Sequence, residues 1–219
     1  MVSKVVESAA AAVAGIKDGA TIMIGGFGGA GLPAALVDAL IEHGARDLTI
    51  VSNNAGNGDT GLAALLKTKR VRKIICSYPR QTDSYVFDAL YRAGEIELEV
   101  VPQGNLVERI RAAGAGIGAF YTPTAAGTML ATGRESRTFG GREFILEYPI
   151  QADVALIKAY KGDRWGNLVY RKTARNFGPV MATAARCAVA QVEEIVELGT
   201  LDPESIVTPG IFVSRVVAA

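Results

Sequence analysis

An α/β fold, with an open, mostly parallel mixed sheet and helices on both faces, is predicted by three features of this 219-residue sequence. Short apolar runs alternate with helix-like stretches through the first half. Glycine closes several of the helix-like stretches. Polar clusters rich in Gly, Asn and Gln follow the ends of the apolar runs, where an α/β sheet gathers its ligand-binding loops.

The first half carries the pattern most clearly. TIMI (21–24) reads as a strand and runs into the glycine-rich segment GGFGGAG (25–31). A helix follows from 33 to about 43, with Leu36, Val37, Leu40 and Ile41 on one face and Gly44 as its stop. DLTIVS (47–52) is the next strand and GLAALLKTK the next helix; VRKIICS (71–77) and SYVFDALYRAG, closed at Gly94, repeat the unit. IELEVV (96–101) and NLVERIRAAG form a fourth, the succession that builds a parallel sheet covered by helices. Glu95, Glu97 and Glu99 alternate there with Ile96, Leu98 and Val100, so one face meets solvent and the strand lies near an edge.

The second half changes character. TFGGREFILE predicts a hairpin turning at Gly140-Gly141, and DVALIKAYKGDRWGNLVYR predicts another with GDRWGN as its connection. A helix around PVMATAARC and strands near VAQVEEIVE and GIFVSRVV complete the chain.

Length favours one domain over residues 1–219. With 49% hydrophobic and 21% charged residues and a formal charge of +1, no global field draws the chain to nucleic acid or an anionic membrane. Cys76 and Cys187 match no metal or redox spacing and point to a reducing compartment. SKVVESAAAAVAG reads as an Ala-rich helix rather than a signal segment, and no apolar run reaches membrane-spanning length. A cytoplasmic protein is the default expectation.

The polar clusters after the first four strands are GGFGGAG, SNNAGNG, SYPRQTD and PQGN. Each alone is an ordinary turn; on one sheet edge together they mark a site. Gly26, Gly28 and Gly31 spell G-x-G-x-x-G, which would make the ligand NAD and the protein an oxidoreductase. That reading needs an acid at the end of the second strand, where Ser52, Asn53 and Asn54 stand instead; Asp47 is at the wrong end. The single histidine, His43, falls in the last turn of the first long helix, where it suits the helix dipole and is remote from the site edge. No nucleophile elbow, Cys–His pair or metal-ligand cluster is present, so no metal is expected. A sugar-phosphate isomerase would need a carboxylate–lysine pair on this edge, and a sensor module an appended DNA-binding segment; neither can be placed. The edge offers amide donors and glycine backbone without an obvious nucleophile.

DGATIMIGGFGGAGLP (18–33) resembles the glycine-rich signature of the CoA-transferases that act on 3-oxoacids: an acidic-Gly opening, an apolar run, G-G-F, three residues, G, one residue, P. VSNNAG (51–56), PQGNLVERIRAAGAG (102–116), AFYTPTAAGT (119–128), GDRWGN (162–167) and KTARNF (172–177) are similar to family blocks in the same order, so the likeness covers essentially the whole chain. The resemblance implies an enzyme of two homologous halves, of which this chain is the first, the A (alpha) subunit. The family's catalytic glutamate lies in a Ser-Glu-Asn-Gly block of the other half, the B (beta) subunit; that block is absent here. The implied chemistry is ping-pong transfer through an acyl-glutamyl anhydride and a glutamyl-CoA thioester. No cofactor is bound permanently; a coenzyme A thioester is a substrate.

Carried onto this chain, the resemblance implies that Gln103 is an oxyanion donor and that Gly25, Gly26, Phe27, Gly28, Gly29, Ala30 and Gly31 receive CoA. The helix amides behind that loop would suit a carboxylate or phosphate. Asn53 and Asn54 would shape the pocket and hold substrate carboxylate. The stretches around Pro79, Arg80 and Gln81 and around Arg171 look most like the 3-oxoadipate branch of the family, which moves CoA from succinyl-CoA to 3-oxoadipate in aromatic-compound breakdown; acetoacetate is the alternative acceptor. A dicarboxylate acceptor wants a cation for its distal carboxylate. Arg80 is assigned that role, with Arg171 and Arg175 as rivals. The expected assembly is a hetero-oligomer, such as two A with two B subunits, with no nucleic-acid or membrane partner.

Overall fold

The computed structural model of the chain describes residues 3–219. After the short helix α1 (Ala9–Val13), strands and helices alternate as β1 (Thr21–Ile24), α2 (Ala34–His43), β2 (Leu48–Val51), α3 (Gly61–Lys67), β3 (Val71–Cys76), α4 (Tyr85–Arg92), β4 (Glu97–Val100) and α5 (Gln103–Gly114). There follow β5 (Phe120–Thr122), β6 (Ser136–Phe139), β7 (Arg142–Glu147), β8 (Ala152–Asp163), β9 (Leu168–Val169), α6 (Gly178–Ala184), β10 (Ala185–Val196) and β11 (Arg215–Ala218).

The main sheet has the order β11-β10-β8-β1-β2-β3-β4, parallel throughout, with β9 folded back antiparallel on β8. β4 is the edge strand that its alternating glutamates predict. Side-chain alternation splits the core in two. Ile22, Ile24, Ile50 and Ile74 face α1 to α4, whereas Met23, Val51, Ile75 and Ile157 face α5 and α6. Burial on both faces is why these strands read as near-continuous apolar runs.

The hairpin at Gly140-Gly141 forms between β6 and β7, but β5 joins it as a separate three-stranded antiparallel sheet that the sequence pattern does not announce. Two helices are shorter than expected. The Ala-rich N-terminal segment is helical only over Ala9–Val13, capped by Ser8, because Val5 pairs in extended form with Val216. The helix around PVMATAARC stops at Ala184, and from Ala185 the chain pairs with β8 along its length. Sheet pairing there overrides the helical preference of alanine.

Candidate functional site

The loops after β1, β2, β3 and β4 meet at the C-terminal edge of the sheet. Gly25 N–H donates to Leu156 O at 3.0 Å, the last rung between β1 and β8. Phe27 and Ala30 then exchange backbone hydrogen bonds of 2.9 and 3.1 Å, leaving Gly28 and Gly29 exposed at the tip of a tight turn. Residues 172–177 hold this loop: Asn176 Nδ2 donates to Ala30 O at 2.9 Å. Gly31 has φ +77°, and a Cβ there would lie 3.0 Å from Ala174 O, so both backbone geometry and contact require glycine.

Asn54 is buried, and its Oδ1 accepts from Gly56 N–H at 2.9 Å. Together with Gly28, Gly29, Asn57 and Gln81 it lines a cleft of about 170 Å³ floored by Leu32 and Leu62. Asn53, also buried, joins the other two loops. Its carbonyl accepts from Ser77 N–H (3.2 Å) and Tyr78 N–H (3.0 Å). Its Oδ1 accepts from Ser77 Oγ at 2.8 Å and from Gln103 Nε2 at 2.7 Å. Gln103 is the first residue of α5, whose N-terminus no side chain caps, so the positive end of that helix faces the same edge.

The remaining candidates are placed less centrally. Arg80 is exposed, with Nε donating to Asp88 Oδ1 at 2.5 Å. Arg171 stacks over the Tyr160 ring at 5.3 Å, and Arg175 is exposed at the end of the 3-10 turn Lys172–Ala174. His43 is exposed in the last turn of α2. The helix amides behind the glycine loop differ from the expectation. Ala35 N–H donates to the buried Gln191 Oε1 at 3.1 Å, and Ala34 N–H donates to Leu32 O at 3.0 Å. Pro33 has no N–H. These partners engage the first turn of α2, so what stays open at this edge is the backbone of the loop itself, at Gly28 and Gly29.

Burial pushes the Cys76 thiol up to about 12 against a backbone hydrogen bond from Tyr78, which leaves it inert as a nucleophile at neutral pH. The site therefore supplies neutral N–H donors, an open glycine turn and nearby arginines, a set suited to stabilising oxyanions and carboxylates. Ser77, Asn176 and Gln191 are the residues that sequence reasoning missed. Ser77 lies in the SYPRQTD cluster and Asn176 in KTARNF, so both fall within segments that the sequence marks; Gln191 has no local signal.

The profile of the family described as Coenzyme A transferase matches residues 6–219. The A subunit of the 3-oxoadipate CoA-transferase of Pseudomonas putida is 69% identical over 218 residues, covering 100% of this chain and 94% of that protein. The A subunit of the succinyl-CoA:3-ketoacid coenzyme A transferase of Helicobacter pylori strain J99 is 51% identical, over 98% of this chain and 91% of that one. Among solved structures, an acyl-CoA transferase of Escherichia coli O157:H7 superposes with a TM-score of 0.88 at 25% identity, over 99% of this chain. This chain spans only 47% of that longer one.

Proposed function

The chain belongs to the coenzyme A transferase family, and from that premise we propose that it is the A subunit of a 3-oxoadipate CoA-transferase, which moves CoA from succinyl-CoA to 3-oxoadipate. The observation that carries the acceptor is the higher identity to the 3-oxoadipate relative, 69% against 51% for the 3-ketoacid one. The observation that carries the division of labour is a site edge of amide donors beside an open glycine turn, in a chain half as long as its solved relative.

In this reading the B subunit supplies the nucleophilic glutamate. That carboxylate attacks the succinyl-CoA thioester, forming an acyl-glutamyl anhydride and releasing CoA thiolate. The thiolate attacks the glutamyl carbonyl, giving a glutamyl-CoA thioester and free succinate. 3-Oxoadipate then runs the two steps in reverse, taking CoA and freeing the glutamate. Each addition passes through a tetrahedral oxyanion, to which the second Nε2 hydrogen of Gln103 and the Nδ2 group of Asn53 are the donors offered here. The turn at Gly28 and Gly29 receives the thioester chain, and Asn54 lines the cleft beside it. Arg80 meets the distal carboxylate of the acceptor; Asp88 engages only its Nε, which leaves the two Nη groups for a bidentate contact.

Purified alone, the chain should show no transfer between succinyl-CoA and 3-oxoadipate, and a co-expressed B subunit should restore it. Robust transfer by this chain alone would sink the reading, and a preference for acetoacetate by the complex would move it to the 3-ketoacid branch.

A further inference from the structure

We propose that Ser77 is a positioning residue that fixes which way the carboxamides of Asn53 and Gln103 face, and so keeps an N–H rather than a carbonyl oxygen turned toward the reacting centre. The inference rests on the reading of Gln103 as an oxyanion donor.

A carboxamide has two nearly isosteric ends of opposite hydrogen-bonding sense. Asn53 and Gln103 touch through only one such contact, Nε2 to Oδ1 at 2.7 Å. Taken alone that contact does not choose a direction: turning both amides over gives Asn53 Nδ2 donating to Gln103 Oε1, an equivalent hydrogen bond. The catalytic consequences are opposite. In the orientation found here, Gln103 keeps a second Nε2 hydrogen directed past Asn53, where it can meet an oxyanion. With both amides reversed, Gln103 Oε1 occupies that place and its lone pair repels the same charge.

Ser77 breaks the tie. Its hydroxyl lies 3.0 Å from Asn53 O and 2.8 Å from Asn53 Oδ1. The carbonyl already accepts from two backbone amides, Ser77 N–H and Tyr78 N–H, which fill its two lone pairs. The single hydroxyl hydrogen therefore goes to Oδ1, the atom with a free lone pair and the shorter distance. Oδ1 then has both its acceptor sites filled, by Ser77 and by Gln103; in the reversed state Ser77 Oγ could only accept from Nδ2, and its own hydrogen would face a carbonyl whose acceptor sites are already taken. Ser77 is held in turn by its own backbone: its N–H is anchored on Asn53 O immediately beyond β3, so the hydroxyl is presented by the sheet rather than by a free loop.

The isosteric pair Ser77→Thr and Ser77→Val separates hydroxyl from shape, and both are assayed as the complex with the B subunit. Ser77→Thr should retain kcat. Ser77→Val should lower kcat by roughly three- to tenfold with the KM for succinyl-CoA unchanged, a smaller loss than the ~10²-fold or more of deleting an oxyanion donor outright. The same substitutions in a Gln103→Ala background should cost markedly less, because only the Asn53 amide is left to orient. If Ser77→Val costs as much there as in the native background, or if Ser77→Thr falls with it, Ser77 only supports the fold and the proposal is wrong. If Gln103→Ala itself leaves kcat intact, the oxyanion role of Gln103 fails first, an outcome distinct from either.

Discussion

Gln103 Nε2 sits 2.7 Å from Asn53 Oδ1, a bond between residues separated by 50 positions that ties the N-terminus of α5 to the loop after β2. It couples a donor on a rigid helix to one buried at a strand end, the arrangement that lets polar groups face developing charge without reorganising. Gln103→Ala should therefore lower kcat of the complex with the B subunit by ~10²–10³-fold, the usual effect of losing one oxyanion donor, and leave KM for succinyl-CoA nearly unchanged. Steady-state kinetics on both substrates check this; a rise in KM with kcat preserved would assign Gln103 to ground-state binding instead.

The glycine turn offers a paired test in which stability and binding move separately. At Gly29 an added Cβ meets nothing within 4 Å, so Gly29→Ala should leave the melting temperature within about a degree, as surface changes free of contacts do. On the proposed function it should nevertheless raise the KM for succinyl-CoA, since the methyl would stand in the turn that receives the thioester. At Gly31 the Cβ would press on Ala174 O at 3.0 Å with φ at +77°. Gly31→Ala should lower the melting temperature as well, by the ~1 kcal/mol or more that incompatible backbone strain costs. Thermal unfolding of the two variants alongside their KM values separates the effects.

Much of the fold and the outline of the site were legible because their signals are local. TIMI and LTIV are short apolar runs and VRKIIC ends in one, as strands covered on both faces read, and the clusters that follow parallel strands share an edge. The rest depends on pairings distant in sequence. Ala185 leaves a helix for a strand because β8 lies beside it, 33 residues away in sequence at Ala152. Asn176 reaches Ala30 across 146 positions, and Gln191 reaches Ala35 across 156. No window of sequence encodes those contacts, and the expectation that the first turn of α2 would hold an anion overlooked the buried glutamine for that reason.

A charge ladder on the edge strand gives the fold an acid-sensitive element. Burial pushes Glu99 up, but hydrogen bonds from Lys73 and Arg109 outweigh it and hold the carboxyl below its ordinary 4.5. A carboxylate with a depressed folded value contributes stability that is complete above pH 4.5 and is lost as pH falls through the folded value. Lys73 runs the other way: burial lowers it, Glu99 and Glu97 outweigh that, and its contribution is lost only as pH rises beyond 10.5. Denaturant unfolding between pH 3 and 7 (roughly the window in which carboxylates titrate) should show a steeper acid limb for the native chain than for Glu99→Gln. Equal slopes would mean that the ladder contributes nothing.

Glu147 is the anchor between the small sheet and the helix that carries Gln103. It is 1% exposed, receives Asn105 Nδ2 of α5 at 2.9 Å, and pairs with Arg134 and, at 3.6 Å, with Arg109. Glu147→Ala takes the ion pair from Arg134, while Arg109 keeps Glu99 and Asn105 keeps Thr124 O, so the loss expected is at or below the ~3–5 kcal/mol of breaking a buried ion pair from one side. Because Asn105 is two residues beyond Gln103 on the same helix, kcat should fall as well, even where the variant remains folded. Circular dichroism and turnover measured below the melting transition distinguish the two losses.

Arg80 is where acceptor choice should be decided, because 3-oxoadipate differs from acetoacetate in carrying a second carboxylate. Asp88 holds Nε at 2.5 Å, which pre-orients the fork and leaves the Nη edge for a substrate. Arg80→Ala should therefore reduce kcat/KM for 3-oxoadipate by at least ~10-fold, the scale of losing a charge-assisted contact, while acetoacetate turnover stays near its native level. Arg80→Lys should recover only part of the loss, since an ammonium cannot make the two parallel bonds of a guanidinium. Asp88→Asn should act in the same direction but more weakly, because it frees the fork without removing the charge. If Arg80→Ala lowers both acceptors equally, the arginine serves the loop and not the substrate, and the same comparison applied to Arg171 and Arg175 identifies the residue that reads the distal carboxylate.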